Sequence, residues 1–181
     1  MSAPVKFIVN FIVIMGIQIF VLNDIVIKSS IILFGIPAFI PLIYPLVLLL
    51  LPVNTPHWLT MLLGFLTGIV MDIFSNTPGV HAAASVLLGF LRPYLLNLFF
   101  QQNIKELGDT IPTLFRMGFR SFFLYILFAL LIHHFYYYLI QVWSFKNTFL
   151  ILYKTLLSTS MSILLIILGQ LIFAKKEIRR T

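Results

Sequence analysis

Cysteine is absent from this 181-residue chain, which excludes disulfides, thiolate metal sites and cysteine nucleophiles at once. Charge is scarce as well. Lys, Arg, Asp and Glu make up 9% of the residues, and only five are acidic: Asp24, Asp72, Glu106, Asp109 and Glu177. Of these, Asp72 alone lies clearly inside an apolar run, so no cluster of carboxylates exists for metal-dependent phosphoryl chemistry. The four His are scattered and make no metal site. Nor is there a Gly-rich phosphate loop, a Gly-x-Ser-x-Gly elbow or a His-Glu-x-x-His helix. A catalyst would have little to work with, and no catalytic, cofactor-binding or metal-binding residue is expected.

Apolar residues fill the space these absences leave. The chain is 61% hydrophobic, with a mean hydropathy of +1.08, and runs of roughly 20 apolar residues recur along its length. The expected fold is an all-α integral membrane protein, one compact six-helix transmembrane bundle with residues 1–181 as a single domain. The apolar periods predict helices at about 6–22, 31–51, 58–74, 80–100, 118–140 and 148–173. The first run carries Lys6 but has no small-x-small cleavage pattern, so it reads as a retained helix and not as a signal peptide. Its Asn10 and Gln18 predict that it packs inside the bundle.

A net charge of +7 could suggest nucleic acid, but the Lys and Arg sit mainly at segment ends, as membrane topology requires. With six spans, one side receives Lys6, Lys105, Arg116, Arg120, Lys175, Lys176, Arg179 and Arg180; the other receives Lys28, Lys146 and Lys154. The positive-inside rule then places both termini in the cytoplasm, with no nucleic-acid partner. Tyr136, Tyr137, Tyr138 and Trp143 read as an outer aromatic belt and Trp58 as an inner one. His133 and His134 read as belt residues too, since adjacent His point to different helix faces. The tail Lys-Lys-Glu-Ile-Arg-Arg reads as an anchor attracted to anionic membrane lipids.

Within this scaffold the unusual chemistry collects between Thr60 and Pro93, which reads as two helices joined by a tight turn at residues 75–79. Thr60, Gly64, Gly68 and Asp72 recur every four residues, and Ser85, Gly89 and Pro93 answer at the same spacing. Such small-residue stripes let helices approach closely, so the two should pack face to face. Reflection about the turn puts Asp72 level with Ala82, one residue from His81, and Arg92 several turns deeper. An Asp72–His81 hydrogen bond or ion pair is therefore expected, either as a structural pair or as a proton relay; an Asp72–Arg92 bridge is not. Arg92 either reaches the inner interface or takes an anionic partner in the bundle. Upstream, Pro37, Pro41 and Pro45 also recur every four residues. Each removes an N–H and clashes with a carbonyl, so the second helix should bend or partly unwind, and its freed carbonyls need partners. That stretch is either a bent helix wedged against its neighbours or an irregular surface for a partner. In the last segment Thr155, Ser158, Ser162 and Gly169 mark another close-packing face.

The run GFLTGIVMDIFSNTPGVHAAASVLLGFLRPYL, preceded by the proline-marked segment ending YPLVLLLLP, resembles the MreD family of rod shape-determining membrane proteins. Gly64, Gly68, Asp72, Gly79 and Ala82 match that family's Gly-rich helix, Asp, short turn ending in Gly, and small-residue helix. The matching part covers about a fifth of the chain. The resemblance implies a non-enzymatic scaffold in the bacterial inner membrane, beside MreC, the glycosyltransferase RodA and its penicillin-binding transpeptidase, and indirectly MreB. It also implies a fold like the six-helix substrate-binding subunits of energy-coupling-factor vitamin transporters. On this reading the proline-marked helix and the small-residue hairpin form the surfaces that hold MreC's membrane helix. One alternative is a transporter's substrate-binding subunit, against which stands the lack of an Ala-x-x-x-Ala patch in the first helix. The other is a lipid-modifying enzyme using Asp72, His81 and Arg92 as base and phosphate clamp.

Overall fold

The computed structural model describes residues 3–23, 40–100, 110–143 and 148–178. Among them the chain is all helical, with no strand. Helix α1 spans Ala3–Ile17 and continues through a π-helical turn at Gln18–Leu22. A four-residue helix α2, Leu46–Leu49, follows, then the long α3, His57–Ser75, and α4, Val80–Phe99. A short α5, Leu114–Met117, leads into α6, Phe119–Val142, and α7 runs Thr148–Ile178.

Four of these helices are long and apolar enough to cross a membrane: His57–Ser75, Val80–Phe99, Phe119–Val142 and the Thr148–Ile172 part of α7. With the shorter apolar stretch Ile8–Leu22 beside them, they make the chain a multi-pass membrane protein. Among the described residues, then, four helices of spanning length are seen where six were expected. The difference lies in residues 31–51: positions 31–39, Pro37 included, fall outside the described residues, and the rest is helical only over Leu46–Leu49. Pro41 and Pro45 give the physical reason, since neither can donate to a helical carbonyl.

The unwound stretch is nonetheless buried from residue 41 to residue 49, so its backbone needs partners from inside the protein. Gln18 supplies them. Its Nε2 donates to the Pro41 carbonyl at 3.2 Å and to Asn23 Oδ1 at 3.0 Å. Its Oε1 accepts the Ile43 and Tyr44 N–H groups at 2.7 and 3.3 Å. All four hydrogen-bonding positions of one side-chain amide are used. The polar residue that marks α1 as a packed helix thus holds the proline-interrupted segment in place. Asn10 differs: it faces outward.

Helix α4 lies between α3 and α6, and α6 lies between α4 and α7. Leu48, Leu49, Leu88, Leu96, Phe122, Tyr125 and Leu130 form the centre of the larger apolar cluster. A second cluster, with Tyr44, Met71, Ala84, Tyr137 and Tyr138, sits toward the α3–α4 turn. Pro93 interrupts the hydrogen bonding of α4. One residue beyond Gly89, the carbonyl it deprives of a donor, His57 Nε2 donates to the Phe90 carbonyl at 2.8 Å.

Candidate functional site

The α3–α4 hairpin closes on its glycines. A Cβ at Gly68 would stand inside contact distance of the Ala82 backbone, one at Gly64 would come within 2.6 Å of the Ser85 carbonyl oxygen, and one at Gly89 within 2.9 Å of the Thr60 carbonyl oxygen. Backbone meets backbone at all three levels, which only small residues permit. Gly64, Gly68, Ser85 and Gly89 are therefore occupied by each other's helices. This is the face-to-face packing that the matching small-residue spacing predicts.

At the turn, α3 ends on Asn76 in the left-handed conformation (φ 53°) and α4 begins after Gly79 (φ 84°). Gly79 occupies the N-cap position yet has no side chain to cap with. Asp72, one turn from the end of the preceding helix, does that work. Its Oδ1 accepts the Thr77 hydroxyl at 3.0 Å and the His81 N–H at 2.9 Å. Its Oδ2 accepts the Gly79 N–H at 3.1 Å and the Ala82 N–H at 3.0 Å. The Val80 N–H goes to the Thr77 carbonyl and the Ala83 N–H to the Gly79 carbonyl, so no amide at the start of α4 is left unpaired. The carboxylate also sits at the positive end of the helix dipole.

This geometry revises the expected Asp72–His81 pair. The two residues meet, but through the His81 backbone; the imidazole turns away, and its Nδ1 lies 3.1 Å from the Tyr44 hydroxyl. That hydroxyl is a hub. It also lies 2.8 Å from His133 Nε2 and accepts from Ser85 Oγ at 3.3 Å. Because a phenol has one proton to give, it donates to one of the two rings, and the other ring donates to it. The Tyr137 ring packs 4.6 Å from His81, centroid to centroid. Beside the hub, His134 Nδ1 is 2.8 Å from Thr159 Oγ1, and the Tyr138 hydroxyl is 2.6 Å from Ser158 Oγ while accepting the Ile40 N–H at 3.2 Å. His133, His134, Tyr137 and Tyr138 are thus buried, not belt residues. Their helix has no clearly apolar face, so its sequence names no inner side; of the α7 hydroxyls that meet them, the close-packing stripe included Ser158 but not Thr159. Trp143, highly exposed at the end of α6, and Trp58 keep the surface positions expected of them.

Arg92 is buried at the far end of α4. Ten residues beyond Ala82, it stands about 15 Å further along the helix axis. It neither reaches an interface nor meets an acidic side chain among the described residues. Its guanidinium donates to the Leu51 carbonyl and, at 3.2 Å, to the Pro52 carbonyl, while Tyr125 Oη donates to the Leu49 carbonyl at 3.2 Å. The Leu49 and Leu51 carbonyls are freed where α2 ends, whereas that of Pro52 also accepts the Thr55 N–H and hydroxyl; Arg92 and Tyr125 thus serve the same interrupted segment that Gln18 serves from its other end.

Chemically, Asp72 has all four acceptor positions filled, which leaves no lone pair free to take a proton from a substrate. Asp72 and Arg92 hold separate sets of partners and do not form one base-and-clamp site. Among the described residues no group of three His, Asp or Glu is arranged to hold a metal ion. Comparison with protein-family models, with curated proteins and with solved structures finds no match to this chain.

Proposed function

We propose that this protein is a non-enzymatic scaffold of the MreD type, a six-span protein of the bacterial inner membrane with both termini cytoplasmic. It would join MreC to RodA and the penicillin-binding transpeptidase of cell elongation, and through them to MreB. The observation that carries this reading is the saturation of the Asp72 carboxylate by the amides that open α4. The residues that bear the resemblance, Gly64, Gly68, Asp72, Gly79 and Ala82, are those that build the hairpin. Its intramembrane charge, costly in itself, serves architecture and is not held free for chemistry. With the small-residue faces closed inside, partners would meet the outward faces of the helices.

The test is a mild-detergent purification of the tagged protein from its native membrane, with mass spectrometry of proteins and small molecules. Recovery of MreC, RodA and the transpeptidase is the expected result. Recovery of coupling ATPase subunits or a bound vitamin would move the chain to the transporter class.

A further inference from the structure

Between residues 8 and 23 the first helix and its π-helical turn bury only Met15, Gln18, Leu22 and Asn23. Met15, Gln18 and Leu22 share one side at helical spacing. Asn23 joins them only through the π-helical turn. Residues five apart on a regular α-helix stand about 140° apart, yet Gln18 Nε2 reaches Asn23 Oδ1 at 3.0 Å, and the Asn23 N–H bonds to the Gln18 carbonyl. The extra residue in the turn draws both amides onto one face, a device common where a helix must serve as a hinge. From that face Asn23 Nδ2 donates to Ser75 Oγ at 3.2 Å, in the last turn of α3 that also carries Asp72. Gln18 Oε1 accepts the Ile43 and Tyr44 N–H groups, and the Tyr44 hydroxyl meets the His81 and His133 rings. One line of hydrogen bonds therefore runs from the end of α3, through α1, to the rings of α4 and α6.

We propose that α1 is a detachable helix, latched at Gln18, whose docking holds the Tyr44 hub closed. With so few buried side chains on α1, its release is a local opening that leaves α3, α4, α6 and α7 packed. Opening frees the Pro41 carbonyl and the Ile43 and Tyr44 N–H groups together. The 41–44 segment then loses its anchor, and the Tyr44 hydroxyl loses its fixed place between His81 and His133. Coupling of this kind is reciprocal, so a change that loosens the hub must also loosen α1.

The cysteine-free chain allows a direct test by maleimide labelling of single-cysteine variants of the full chain in mild detergent. Met15→Cys, at a buried position of α1, reports release of the latch; Ala129→Cys, fully buried on α6, reports opening of the core. Gln18→Met keeps the length of the side chain and loses its hydrogen bonds. It should speed labelling at position 15 about 5- to 150-fold and leave position 129 protected. Asn23→Ala, which removes one link of the line, should give a smaller acceleration at position 15 and none at position 129. His133→Phe, on a different helix, should also speed labelling at position 15, and should add little on top of Gln18→Met. Equal acceleration at positions 15 and 129, protection at position 15 that survives Gln18→Met, or full multiplication of the Gln18→Met and His133→Phe effects would each overturn the proposal.

Discussion

Asp72 caps a helix that begins eight residues after it, its Oδ2 accepting the Gly79 N–H at 3.1 Å across the turn. The pairing turns a local sequence feature into a tertiary one: the end of α3 and the start of α4 cannot separate without exposing amides. Asp72→Ala removes an acceptor for four donors at once. A single cap is worth about 1 kcal/mol and a bond to a charged group about 1.5–3 kcal/mol, so the variant should lose at least about 3 kcal/mol. Thermal unfolding followed by circular dichroism in detergent checks this, and a loss under about 1 kcal/mol would mean the cap is dispensable.

Gly68 and Gly16 make a matched pair of substitutions. A methyl at Gly68 meets the backbone of Ala82, whereas one at Gly16 meets nothing within 4 Å. Gly68→Ala should cost about 1–3 kcal/mol or more, since backbone does not yield as a side-chain end does. Gly16→Ala should be neutral or gain up to about 1 kcal/mol from helix propensity. Similar melting shifts for the two would contradict the close α3–α4 approach.

Tyr44→Phe keeps the ring against His81 and His133 and deletes only the hydroxyl that serves both of them and Ser85. The expected cost is about 1–3 kcal/mol. Adding His133→Phe to Tyr44→Phe should cost less than the sum of the two singles, because both act on one hydrogen-bond network. Strict additivity, measured by the same unfolding assay, would show that the hub is not one unit.

Arg92→Met strands the Leu51 carbonyl in the interior, while that of Pro52 keeps its bonds from Thr55. A loss of about 1–3 kcal/mol is expected, for one buried acceptor left unpaired. Arg92→Lys restores charge but not the planar fork, so it should recover only part of the loss. Full recovery by Lys would point to a requirement for charge alone.

Much of this was legible in the sequence, and the limits are physical. Spacing at four residues located the α3–α4 contact, and reflection about the turn put Asp72 level with Ala82, where the structure has a hydrogen bond. For three of the long helices the apolar runs end within two residues of the observed bounds, whereas the last helix runs on to Ile178, past the expected 173. Three things were not legible. The partner of the Asp72 carboxylate is backbone, which every residue carries and no pattern marks. The burial of His133 and His134 is invisible in a helix without an apolar face. The carbonyls that bind Arg92 are open only because the chain leaves the helix after Leu49, and although Pro41 and Pro45 announced a break, they could not say which side chains would answer it. Gln18 was flagged as inward-facing, but its attachment to that break could be read only in three dimensions.

The measurement that bears most directly on an architectural role for the hairpin is Asp72→Asn, assayed in parallel for folded stability and for the support of rod-shaped growth that the proposed function entails. Asn keeps the size of the side chain but replaces an acceptor oxygen with an NH₂ that faces the amides of α4. The account predicts that stability and growth fall together, and that lowering the temperature rescues both. A variant with wild-type stability that abolishes growth would contradict it, and would assign Asp72 a chemical task.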